Sequence, residues 1–336
     1  MYDCVHLTSF HVDSLVGSLQ RLREFTFIRR GQSTGEDMAP VVMQVLKKNT
    51  GIANLALQSS LERDFLIRIP QESEPLVSLW YDVQNMPKRH FAKIWNSVLL
   101  KSDQSLQELS TWVREERLCP ILLKFQNLRD LRLSFTVEMP PNFVASFNNL
   151  EVLKLMSEAP RQNAEVIPEL LGRQHDSLRV LEIGVNFYDE GPLQQICQLC
   201  PNLQILIFRR FCCYFEEMSA QSLVTLKNLE QLWIMIDART AYLYDEYLAM
   251  VVQNLPALRV LQADQIAGRA SGGQQTYAAL LEKATANPNQ VYFYNIGTMF
   301  RQSTANLKHI TEESSDLFGA DDFRYDYFMW KKLNSI

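Results

Sequence analysis

The sequence predicts an α/β fold: a solenoid, or horseshoe, whose short parallel strands line the concave face while helices form the convex face. Three observations predict it. Of 336 residues, 46 are leucine and only 12 are glycine, whereas an average chain carries about 7% glycine. Apolar residues make up 47% and charged residues 21%, enough core-forming material to exclude a mainly disordered chain. The leucines also recur in a fixed template, one apolar residue followed three and five positions later by two more, with helix-like segments between copies.

In chain order the copies are Leu22/Phe25/Phe27, Ile52/Leu55/Leu57, Leu76/Leu79/Tyr81, Leu106/Leu109/Thr111, Leu128/Leu131/Leu133 and Leu150/Leu153/Leu155. They continue as Leu178/Leu181/Ile183, Leu203/Leu206/Phe208, Leu229/Leu232/Ile234, Leu258/Leu261/Ala263 and a weaker Val291/Tyr294/Ile296. First positions are spaced by 30, 24, 30, 22, 22, 28, 25, 26, 29 and 33 residues, mostly within or just beyond the leucine-rich-repeat window of roughly 20 to 29. An earlier copy, Leu7/Phe10/Val12, stands 15 residues before Leu22, too close to hold a full repeat.

Two apolar residues separated by one variable residue carry the period-two signature of a strand. The segments between copies, residues 40–48, 87–100, 164–171, 192–199, 219–226, 245–254 and 276–284, carry helical spacing. Pro40, Pro87 and Pro192 suit first-turn positions, and Asp245 and Ser219 are expected to cap their helices. One strand and one helix cannot bury a core alone, so units must stack on their neighbours. Residues 1–302 are therefore expected to form one array of about 10–11 repeats. Residues 303–336 leave the register and interleave Glu312, Glu313, Asp316, Asp321, Asp322 and Asp326 with Phe318, Phe323, Tyr325, Tyr327, Phe328 and Trp330. They read as a terminal cap or as an acidic, aromatic tail for a partner.

The entry into several strands follows one pattern: Cys200-Pro201-Asn202-Leu203, Leu255-Pro256-Ala257-Leu258 and Leu226-Lys227-Asn228-Leu229. Over about residues 20 to 300 this resembles the cysteine-containing, ribonuclease-inhibitor-like repeats of F-box/leucine-rich-repeat proteins. The resemblance implies a module that recognises substrate proteins for an SCF-type ubiquitin ligase, with the ligase adaptor and cullin as further partners. An F-box would supply those contacts, and residues 1–20 contain no Leu-Pro followed by a three-helix apolar pattern. The chain is thus expected to be a shortened product of a longer F-box protein, a protein relying on a divergent helper, or a repeat-only scaffold or inhibitor without a ligase link.

No chemistry competes strongly with a binding role. Cys197, Cys200, Cys212 and Cys213 suggest a zinc site, but a strand over residues 203–208 would hold the two pairs roughly 20 Å apart. Buried structural thiols are the expectation, for Cys4 and Cys119 as well. His6, His11, His90, His175 and His309 show no metal-ligand spacing. The glycine-rich stretch 268–273 lacks the Lys-Ser/Thr of a phosphate-binding loop, and no Gly-x-Ser-x-Gly elbow occurs. An enzyme, a cofactor and a metal are not expected.

The residues between the inward positions face the groove. Among them Ile205, Ile207, Arg209, Trp233 and Met235 combine apolar, aromatic and guanidinium groups as protein-binding hot spots do; Trp80 and Trp112 form a second such set. The competing reading packs them under a loop or under the C-terminal segment. A net charge of −5 argues against nucleic acid. The longest apolar run, residues 247–252, is far below the roughly 20 residues of a membrane span. Neither a signal-peptide pattern nor an Asn-x-Ser/Thr sequon is present, and only Asn186 falls where extracellular repeats place asparagine. A cytoplasmic or nuclear protein is expected.

Overall fold

The computed structural model describes residues 21–28, 39–58, 75–82, 101–157, 164–236, 242–263, 266–267, 273–296 and 306–309. The chain divides into two compact units, residues 1–185 with 198–201, and residues 186–197 with 202–336.

The first unit carries β1 (Glu24–Ile28), β2 (Asn54–Gln58), β3 (Ser78–Asp82), β4 (Glu108–Val113), β5 (Asp130–Phe135), β6 (Val152–Ser157) and β7 (Val180–Gly184), all parallel and in sequence order. Register is constant, Leu109 beside Leu131, Leu131 beside Leu153 and Leu153 beside Leu181. A single-residue slip would turn every leucine to the wrong face. The carbonyl ahead of each strand from β1 to β6 accepts two N–H bonds from the next repeat, as Arg129 does from Glu151 and Val152 at 2.8 and 3.0 Å. All three template residues from Ile52 to Leu178/Leu181/Ile183 are buried. Thr111 takes a leucine position, and its buried hydroxyl has no hydrogen-bond partner among the described residues.

Helices follow where the chain allows them. α1 (Ala39–Lys48) and α3 (Val166–Leu171) fall close to their expected positions, while residues 87–100 lie outside the described residues. The two 22-residue spacings, after Leu106 and Leu128, leave too few residues for a full helix. They are bridged instead by a 3-10 turn Glu116–Leu118 with the four-residue α2 (Cys119–Leu122), and by a 3-10 turn Val144–Ser146. α3 ends on Gly172 in the left-handed region, φ 64°, which glycine adopts without the steric cost that a Cβ brings. A Cβ there would strike the Asn142 side chain and come within 3.1 Å of the Asn142 Cα. Gly172→Ala is expected to lower unfolding stability by about 2 kcal/mol, measured by urea denaturation. The double variant Gly172→Ala/Asn142→Gly should relieve the side-chain collision but not the φ strain.

In the second unit β8 (Ile205–Phe211), β9 (Gln231–Ile236), β11 (Val260–Ala263), β13 (Tyr292–Ile296) and β14 (Leu307–His309) are parallel and adjacent in that order. β10 (Leu243–Tyr244) and β12 (Ile266–Ala267) form a separate parallel pair. α4 (Gly191–Leu199, of which residues 191–197 belong to this unit), α5 (Glu217–Leu223), α6 (Asp245–Asn254) and α7 (Gln274–Ala286) alternate with the strands. Each unit is thus a leucine-rich-repeat stack of α/β class. β14 continues the strand series beyond residue 302, while residues 310–336 and Leu7/Phe10/Val12 lie outside the described residues.

Three local expectations change. In the last template copy Val291 is exposed, and Tyr292, Tyr294 and Ile296 point inward; strict alternation along β13 replaces the three-residue step. Neither Asp245 nor Ser219 caps its own helix. Ser219 lies inside α5 and donates to Glu190, whose carboxylate also accepts from Glu216 N at 2.9 Å, while Asp245 caps α7. A carboxylate at one helix start thus reaches the donors of the next, because stacking brings successive helix N-termini side by side.

His175 is buried in the turn before β7. Its backbone N–H donates to Leu199 O at 2.7 Å, and its ring Nε2 lies 3.1 Å from Leu171 O. Burial holds its pKa below 6.5, outweighing the carbonyl bond that favours the charged ring; Arg173 lowers it further and Asp176 raises it. The unfolded chain therefore binds a proton below about pH 6.5 that the folded chain still refuses, so stability falls as pH drops through that region. The urea midpoint should decline from pH 7 toward pH 5, and His175→Asn should flatten that decline.

Candidate protein-binding face

The face of the strands that carries no template leucines is built by register. In the second unit Ile207 stands beside Trp233 and Trp233 beside Gln262, while Val260 lies between Gln231 and Phe293. Trp233 and Val260 form a buried pair with Ile207 and Phe293 packed against them as partly buried groups. Trp233 Nε1 donates to Gln231 Oε1 at 3.4 Å. Arg209 Nη1 reaches Met235 Sδ at 3.7 Å, and Ile205, beside Gln231, is half-buried. The five residues singled out in the sequence therefore sit on one face of β8 and β9. Trp233 is only 6% exposed, so the indole supports the patch while Ile207, Phe293, Arg209 and Met235 present it.

Phe293 escaped the sequence reading because its repeat has the weakest template; its place between the inward Tyr292 and Tyr294 was the available signal. A second missed feature is the β8 irregularity. Register shifts between Phe208 and Phe211, so that Phe211 pairs with Ile236, as one extra residue in a bulged strand requires. Phe208 and Phe211, three apart, both enter the core and meet Phe187 at 4.9 and 5.9 Å between ring centres.

Trp80 and Trp112 lie in the first unit on the same type of face, 4% and 8% exposed. Both are more buried than a groove residue is expected to be. Across this face Trp80 neighbours Ser110, Ser110 neighbours Arg132, Arg132 neighbours Lys154 and Lys154 neighbours Glu182, and all five are buried. The charges are matched: Arg132 donates twice to Asp130, each bond 2.9 Å, and Lys154 Nζ lies 3.0 Å from Glu182. The Arg114 guanidinium stands 5.1 Å from the Trp112 ring centre. This face offers matched polarity, in contrast to the apolar patch of the second unit.

Cys119, Cys197 and Cys200 are buried, and Cys212 and Cys213 half-buried. Burial pushes Cys200 and Cys213 up to about 12 and Cys119 up to about 11, which keeps them as thiols at neutral pH. Among the described residues no group of three or more His, Cys, Asp or Glu is placed to hold a metal ion, and no helix is long and apolar enough to cross a membrane.

Neither a family model nor a curated protein matches the sequence. Among solved structures, the chain is similar to one in the crystal structure of the yeast Rad7 and Elc1 complex, with 15% identity, 82% of this chain and 79% of that chain covered, and a TM-score of 0.47. It is also similar to one in the TLR13–ssRNA13 complex, with 14% identity, 89% of this chain covered and a TM-score of 0.48. The matched region spans 45% of the latter chain.

Proposed function

We propose that this protein is a recognition module that binds another protein through the strand face of its second unit. The observation that carries the reading is the apolar cluster of Ile207, Trp233, Val260 and Phe293 flanked by Arg209 and Met235. The template leucines of this unit's repeat stack are buried on the opposite face. Aromatic and arginine groups at a partly desolvated patch are what a binding hot spot requires. The finer reading, substrate recognition for an SCF-type ubiquitin ligase in the cytoplasm or nucleus, rests on the resemblance carried by Cys200-Pro201-Asn202-Leu203; a repeat-only scaffold or inhibitor is the second reading.

Quantitative affinity capture from cells tests both. Arg209→Ala/Ile207→Asp changes half-buried groups and should retain the fold, checked by its thermal melt, while depleting the main captured protein at least tenfold. Undiminished capture by this variant removes the face assignment. Recovery of the ligase adaptor and cullin with wild-type protein supports the ligase reading, whereas a single stoichiometric client without them supports the scaffold.

A further inference from the structure

Three connecting segments of the second unit, residues 186–190, 212–217 and 242–247, lie side by side outside the strand face. Cys212 N donates to Phe187 O at 2.8 Å and Phe187 N to Arg210 O at 3.1 Å; Phe215 N donates to Tyr242 O at 2.9 Å. Their inward residues Phe187, Phe215 and Leu243 are buried. Their outward residues are tyrosines: Tyr188 is 62%, Tyr214 47% and Tyr242 40% exposed. Tyr214 contacts Tyr242 and Tyr244 at 6.3 Å between ring centres, and Tyr244 contacts Tyr247 at 6.2 Å. Met218, also exposed, follows directly, and among the described residues only Leu281 and Val291 are further exposed large apolar groups.

This aromatic surface is acidic. Asp189, Glu216, Glu217 and Glu246 are exposed, and the three segments contain neither Lys nor Arg, the nearest in sequence being Arg210 at the end of β8. Desolvation raises the Tyr247 phenol above its usual value, and Glu217, Glu246 and Glu216 add to that rise. Exposed apolar side chains are normally scattered singly, and a contiguous group marks a contact surface. A purely apolar partner would cover carboxylates whose charge no Lys or Arg of these segments neutralises. A guanidinium satisfies both components, stacking on the negative face of a tyrosine ring and hydrogen-bonding a carboxylate through its planar fork.

We propose that this surface docks an arginine-rich peptide segment of a partner protein. It is distinct from the strand face, because its residues lie between the strands of the main sheet and the helices or in the first turns of α5 and α6. The probe is a fluorescein-labelled nonapeptide of alternating Arg and Ser, titrated into the full chain by fluorescence anisotropy, with Lys and Gln versions for comparison. The Arg peptide should bind several-fold tighter than the Lys peptide, and the Gln peptide should not bind. Tyr214→Ala/Tyr242→Ala should weaken binding about tenfold. Glu216→Gln/Glu217→Gln/Glu246→Gln, isosteric and solvent-facing so that its fold is unaffected, should weaken it similarly and flatten the salt dependence. A control, Glu116→Gln/Glu138→Gln/Glu165→Gln, removes three exposed charges from the first unit and should leave affinity within twofold. Wild-type affinity in the Glu216/Glu217/Glu246 variant, equal weakening in the control, or equal binding of the Gln peptide would each overturn the proposal.

Discussion

Replacing Asp130 by alanine is expected to lower unfolding stability by about 3–5 kcal/mol, the usual cost of stranding one member of a buried ion pair. Asp130 and Arg132 lie two residues apart on β5, so their side chains project to the same face, and both bonds of the fork are 2.9 Å. Both residues are buried. Without the carboxylate, the guanidinium keeps its desolvation cost and loses both of these bonds. The double variant Asp130→Leu/Arg132→Met removes both charges at similar volume and should regain most of the loss, since apolar replacement of a complete buried pair is often neutral or stabilising. Urea unfolding of the two variants decides: a cost below about 1 kcal/mol for Asp130→Ala would mean that the pair behaves as a solvent-screened one.

Asp245→Ala should cost about 3 kcal/mol by a different route. The carboxylate is buried at the start of α6 and accepts from Gln275 N at 2.9 Å, Thr276 N at 3.0 Å and the Thr276 hydroxyl at 2.6 Å. α7 begins after Gly273, which has no side chain with which to cap it, so Asp245 supplies acceptors for donors that a helix N-terminus leaves unsatisfied. Losing a cap costs about 1 kcal/mol, and leaving buried donors unpaired adds roughly 1–3 kcal/mol. Asp245→Asn keeps one acceptor and should lose about half as much. Hydrogen exchange should accelerate at Gln275 and Thr276 in both variants, and unchanged protection there would show that α7 does not depend on this cap.

The two cases mark how far the sequence could be read. Asp245 was legible as a helix-start residue because aspartate precedes an apolar-periodic segment, yet its target is the helix one repeat later, about 30 residues away. Spacing within one segment carries no information about which donors stacking brings near. The same applies to Trp80, Trp112 and Trp233: alternation placed them on the non-leucine face of their strands, but their burial depends on neighbours from adjacent strands. Ile205, Ile207, Arg209, Trp233 and Met235 could be grouped from sequence because parallel in-register pairing converts template position into lateral position. Phe293 joined them only through the register of β13 with β11.

What the sequence determined by itself is the repeat: an α/β leucine-rich-repeat stack, with the phase of nearly every strand. A period-two apolar pair tied to a leucine three residues upstream permits one register, and any slip would expose an apolar row. Tertiary structure alone decided where each polar group finds its partner. Glu182 answers Lys154 from the next strand, Glu190 binds the start of α5 and Asp245 the start of α7, while the bulge in β8 carries Phe211 into the core. Apolar burial depends on which face a residue occupies, which local periodicity encodes. Hydrogen bonds and ion pairs depend on direction and on distances of about 3 Å, and those are set only when distant repeats have packed.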